Sequence, residues 1–88
     1  DTRPVLVEGR RLFVNATAKG ALRVEVTRPD GRAVLPGWSA GQCIPVTGDH
    51  LRAEVVWPDR DLAELKGQRV RLRFHLQDAD LYSFWLEP

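Results

Sequence analysis

The chain has no methionine, one cysteine and no apolar run longer than a few residues. Runs that short exclude a membrane-spanning helix, which needs roughly 18–20 consecutive apolar residues, and no charged-then-apolar leader opens the sequence. The lone Cys43 excludes an internal disulfide, and no Cys/His set has zinc spacing. An excess of one charge is missing as well. The 13 Lys+Arg nearly cancel the 12 Asp+Glu, leaving +1, so there is neither a polybasic arm for nucleic acid nor an acidic tail. Nucleic acid and membrane are therefore not expected partners. Lacking methionine and beginning at Asp1, residues 1–88 are expected to be a segment of a longer multidomain enzyme, with any signal peptide lying upstream.

What is present fits one small domain. With no disulfide or metal to staple it, the core must hold by packing, so nearly every large apolar side chain is expected inside, and Cys43 is expected to be a buried free thiol. The apolar pattern has period two almost throughout, the signature of strands. Leu22, Val24 and Val26 alternate with Arg23, Glu25 and Thr27, and Arg28-Pro29-Asp30-Gly31 then reverses the chain into a short return strand, Arg32 to Leu35. From Leu51 to Trp57, the residues Leu51, Ala53, Val55 and Trp57 are read as inward, with Pro58 ending the ladder. From Arg69 to Leu76, the inward set is Val70, Leu72, Phe74 and Leu76, with Arg69, Arg71, Arg73 and His75 outward. The segment Leu81 to Leu86 is apolar in both phases. Tyr82, Phe84 and Leu86 are assigned inward, and Leu81, Ser83 and Trp85 outward.

Pro4 to Val7 and Arg11 to Asn15 add two strands, followed by a loop through Ala16 to Gly20. Asp61 to Gly67 forms one helical turn with an N-cap aspartate, a glutamate three residues on and a glycine stop. Together these segments predict an all-β antiparallel sandwich, jelly-roll or Ig-like, of about seven strands. Pro36 to Asp49 is left as a long functional loop.

Catalysis finds little support. Ser39 and Ser83 are the only serines and lie outside any Gly-x-Ser-x-Gly elbow, and pairing Ser83 with His75 on an open face supplies no oxyanion hole. Glu25 and Glu54 could face each other as a carboxylate pair, but among neighbouring arginines they read more simply as surface ion pairs. Asp78 with Asp80, or Asp59 with Asp61, offers oxygen ligands of the type calcium takes, without EF-hand spacing. No cofactor is expected beyond that structural calcium alternative, and no enzyme activity.

Sugar binding asks for something different: a flat ring against the C–H face of a pyranose, with planar or bidentate polar groups at its rim. Trp85, with Arg71, Arg73 and His75 on a neighbouring strand and Glu54 nearby, fits that description, and Trp38 in its Pro-Gly-Trp-Ser loop is a second platform. The competing assignment places the indoles in the core: Trp57 by its phase, Trp85 if the last strand is turned over, and Trp38 as a plug at the open end of the sandwich.

A set of residues spread along nearly the whole chain carries a resemblance. It comprises Gly20 to Val26, Pro29-Asp30-Gly31, Pro36-Gly37-Trp38-Ser39, Cys43 to Asp49, Asp61-Leu62 with Leu65-Lys66-Gly67, Val70 to Phe74, and Asp78 to Phe84. In these the sequence resembles the small β-sandwich domains at the C-terminal end of bacterial glycoside-hydrolase-like proteins, often behind a β-propeller catalytic domain. That family usually carries phenylalanine at the position of Trp38 and a polar residue at that of Trp85. The resemblance implies a secreted bacterial accessory domain. With the residues above, the expected function is a non-catalytic carbohydrate-binding module that holds polysaccharide near the parent enzyme. The alternative is a structural domain that docks on the catalytic domain without touching sugar.

Overall fold

The computed structural model describes residues 2–88 and is all-β apart from two short 3-10 turns. Among the described residues no helix is long and apolar enough to cross a membrane. Four strands, β1 (Val5–Leu6), β2 (Arg11–Thr27), β3 (Val46–Val55) and β4 (Arg69–Glu87), form an antiparallel sheet in the order β1-β4-β2-β3.

The expected strand count of seven is corrected to four. Arg11 to Asn15 and Ala21 to Thr27 are one strand, because Ala16, Thr17 and Ala18, expected in a loop, stay in the ladder opposite Leu81, Asp80 and Ala79. The two C-terminal segments merge likewise into β4. The return segment Arg32 to Leu35 contributes only a bridge between Thr27 and Val34. The expected turn does form there, with Gly31 N–H donating to Arg28 O at 2.8 Å and Gly31 at positive φ.

Continuous strands of this length cannot be straight. At about 3.3 Å per residue β2 would reach about 56 Å and β4 about 63 Å, yet the longest dimension of the molecule is 32 Å. Both strands bend where the register slips between Ala18 and Ala21, beside Asp78, which takes a positive φ of 50°. Their two halves then share one core. Leu12, Val14 and Ala16 belong to the same buried cluster as Leu22, Val24, Val26, Val70 and Leu72.

Bulges also explain two of the three residues expected inward that turn out to be exposed. Asn15 pairs with Ser83 and Ala16 with Leu81, so Tyr82 is the extra residue and is 63% exposed, while Leu81 packs on the core. Val14 pairs with Ala53 and Ala16 with His50, which places an extra residue on β3 and turns Leu51 out to 81% exposure. Leu76 keeps its register opposite Leu22 but is 47% exposed, near the end of the straight half of β4 before the bend at Asp78. Phe84 and Leu86 pack against the core as expected.

Cys43 is the expected buried free thiol; burial pushes its pKa up, so it stays protonated at neutral pH. The helical turn is Leu62–Leu65. Asp61 accepts from Ala63 N–H, and Asp61 N–H donates to Glu64, which holds the Glu64 carboxylate below its ordinary range. At the bend, a Cβ on Gly20 would run into the Gln77 carbonyl of β4. Gly20→Ala is therefore expected to destabilise the domain by about 1–2 kcal/mol, seen as a lower urea midpoint at unchanged slope; an unmoved midpoint would mean the bend absorbs the methyl freely.

Candidate functional site

The predicted site residues do not form one site. Trp38, Trp85 and Glu54, and the basic trio Arg71, Arg73 and His75, fall in three different places, two of them on opposite sides of the bend.

Trp38 is corrected first. It is 3% exposed and packs edge-on against Trp57, also 3% exposed, with ring centroids 5.1 Å apart. Gly37, at φ 89°, turns the loop inward, Trp38 N–H donates to Leu35 O, and Trp38 O accepts from Val26 N–H. Trp57 Nε1–H donates to Val24 O at 3.1 Å. Both indoles belong to the core, so Trp38 offers no ring face to solvent.

Trp85 and Glu54 meet across Phe13. On the outer surface of β2, Phe13 lies directly between Glu54 of β3 and Trp85 of β4. The Phe13 and Trp85 rings stack with centroids 6.0 Å apart and planes 22° apart. The guanidinium of Arg52 lies 4.0 Å from the Phe13 centroid and that of Arg11 4.9 Å away, positions where a cation is attracted to the ring face. Each guanidinium is also held by a carboxylate through two nitrogens: Arg11 to Glu54 at 3.0 and 3.3 Å, Arg52 to Glu87 at 2.9 and 3.3 Å. Trp85 Nε1–H closes the network by donating to Glu87 Oε2 at 2.8 Å.

Phe13 is thereby 2% exposed on a nominally outer face, while Trp85 is half-buried. The Arg52 hydrogen bond and then the Trp85 N–H keep the Glu87 carboxyl below its ordinary range, the opposite direction from a proton donor at neutral pH. Beside this network a groove of about 400 Å³ opens, lined by Arg10, Arg11, Glu54, Trp57, Arg60 and Asp61 among others.

The basic trio sits elsewhere. Arg71, Arg73 and His75 share β4 with Trp85 instead of occupying a neighbouring strand, and the bend at Asp78 separates them from it. They face β2 in the register Thr27–Arg71, Glu25–Arg73 and Arg23–His75. Glu25 is only 8% exposed, not the surface carboxylate expected. Its Oε1 accepts from Arg73 Nη1 at 3.1 Å and from His75 Nε2 at 3.0 Å, while Arg73 Nη2 reaches Gly31 O at 2.7 Å in the turn. Glu25 and Glu54 are thus held in separate ion-pair clusters and make no carboxylate pair, and Ser83 and His75 lie on different sides of the bend.

Among the described residues no three His, Cys, Asp or Glu side chains gather as they would around a metal ion. Asp78 makes the bend and Asp61 caps the helical turn. The residue missing from the predicted site is Phe13, and its signal was available: it occupies the polar phase of its strand, with Arg11 and Asn15. Compared with known proteins, the chain matches no family model, no curated protein and no solved structure.

Proposed function

We propose that this chain is a non-catalytic polysaccharide-binding accessory domain of a secreted bacterial glycoside hydrolase, its bent sheet serving as the two layers of a small sandwich. The observation that carries the reading is the continuity of Trp85 with the polar groove. An indole braced on Phe13 is joined through Arg11 and Glu54 to a 400 Å³ groove with planar guanidinium and carboxylate groups on its walls. A stacked ring holds the sugar's apolar face, and rigid bidentate groups take its hydroxyls. The context, a secreted enzyme of carbohydrate metabolism, comes from the resemblance in sequence.

The expected result is retardation of the isolated chain in native gels containing soluble neutral polysaccharides, weakened at least about tenfold by Trp85→Ala with an unchanged circular dichroism spectrum. A second reading, docking on the parent catalytic domain, has one observation in its favour: an apolar groove lined by Val5, Phe74, Leu81 and Phe84, where β4 runs past β1. Absence of retardation across a broad glycan panel would favour that reading over ours.

A further inference from the structure

The arginines of this chain are paired unevenly. On one side of the bend Arg11 and Arg52 are bound by carboxylates, and Arg10 and Arg60 are held near the helical turn by Asp61 and Glu64. On the other side Arg23, Arg28, Arg32, Arg69 and Arg71 have no carboxylate partner among the described residues, and Arg71 Nε is buried without an acceptor. A chain with a net charge of +1 thus gathers the five arginines Arg23, Arg28, Arg32, Arg69 and Arg71 on this face and its hairpin turn, where the carboxylates among the described residues are Glu25 and Asp30.

We propose that this face binds an acidic polysaccharide, one carrying repeated carboxylates or sulfates. The proposal rests on the polysaccharide-binding reading above but uses a surface remote from Trp85 along β4. Residues two apart on a strand stand about 6.4–6.8 Å apart, so Arg69, Arg71 and Arg73 form a row along β4, with Arg23 across from His75 on β2. Arg69 also shares a groove of about 320 Å³ with Arg28 and Gln68, which prolongs the row beyond the sheet.

Two features select the ligand. Every cation of the face is arginine, although histidine flanks it, and the guanidinium fork matches carboxylate and sulfate oxygens two at a time. Glu25 shows such a seat already filled, its carboxylate accepting from Arg73 and His75. The accessible positions of the face, Arg23, Arg69, Arg71, Arg73 and His75, include no Phe, Tyr or Trp, so the bases of a single-stranded nucleic acid would lack the aromatic platforms they stack on.

The test is retardation in native gels containing polygalacturonate, at low and at physiological ionic strength, beside a single-stranded oligonucleotide of equal charge. The expected result is salt-dependent retardation by polygalacturonate. The double variant Arg28→Gln/Arg69→Gln, at exposed positions, should weaken it about tenfold and flatten its log–log salt dependence by about two, and Arg71→Gln should weaken it in the same direction. No retardation by polygalacturonate, or retardation indifferent to all three arginines, would overturn the proposal, and equal or tighter binding of the oligonucleotide would overturn the choice of ligand. If neutral glycans fail to bind while polygalacturonate binds through the arginines, the Trp85 site is wrong and this one stands.

Discussion

Trp57→Ala is expected to lower the stability of the domain by about 3–5 kcal/mol, the range for truncating a fully buried aromatic side chain. The site leaves little room for relaxation. Trp57 packs edge-on against Trp38, and its Nε1–H satisfies the carbonyl of Val24, a residue with no exposed surface. Truncation would remove the ring and the donor together and leave Trp38 without its partner. A domain of this length holds a total of about 4–13 kcal/mol, so the loss is a large share of the whole, and at the lower end of that range it brings the variant to its unfolding midpoint without denaturant. Trp57→Phe separates the two contributions. It retains most of the apolar contact and loses only the hydrogen bond, so its cost should fall to about 1–2 kcal/mol. Urea unfolding followed by far-ultraviolet circular dichroism measures both, and a loss below about 1 kcal/mol for the alanine variant would show that Trp57 is not part of the core.

The same pair of indoles marks where reading the sequence worked and where it stopped. Alternation identified the inward sets Leu22, Val24, Val26 and Val70, Leu72 because those stretches carry no bulge, and phase is then a sufficient guide to burial. It fails at Leu51 and Tyr82, where one extra residue reverses the phase, since nothing in the local composition announces a bulge. Strand counting erred for a related reason. Ala16 to Gly20 look like a loop because they lack large apolar side chains, yet the small Ala16, Ala18 and Gly20 are what the inner side of a sharp bend accommodates, and Gly20 at the Gln77 carbonyl is the extreme case.

The candidate site was legible only in part. Trp85 lies on the outer face assigned to it, although its segment is apolar in both phases and alternation does not decide between them, and Glu54, expected only as part of a polar rim, is joined to it by Phe13, whose apolar character points to the core. It is indeed almost wholly covered, though by Arg11, Arg52 and Trp85 on the outside of the sheet. Long arginine stems and guanidinium planes can bury a ring as completely as aliphatic neighbours do. Trp38 shows the converse: a Pro-Gly-Trp-Ser loop has the composition of an exposed tip, but Gly37 at positive φ, the two backbone hydrogen bonds of Trp38 with Leu35 and Val26, and packing on Trp57 hold its ring inward.

Removing the Glu25 carboxylate is the other change with a large expected effect, and its dependence on pH is specific. Burial pushes this carboxyl up, but the hydrogen bonds and charges of His75 and Arg73 together outweigh it and hold it below its ordinary value. In the window between the depressed folded value and the ordinary unfolded one, the unfolded chain binds the proton more readily than the folded chain, so stability falls as pH falls. The contribution is complete above the ordinary carboxylate range and is lost as pH drops through the folded value. Glu25→Ala should cost about 1–3 kcal/mol at neutral pH, from the loss of its hydrogen bonds with the Arg73 guanidinium and the His75 imidazole, discounted because both partners are partly solvated. Glu25→Gln keeps the shape and one acceptor, and should cost less. The difference between wild type and Glu25→Gln, measured by urea unfolding at a series of pH values, should shrink towards acid while other carboxylates titrate equally in both proteins. A difference that stayed constant, or grew, on acidification would show that the Glu25 charge contributes nothing to holding the Arg28 to Gly31 turn, through Arg73, against the sheet.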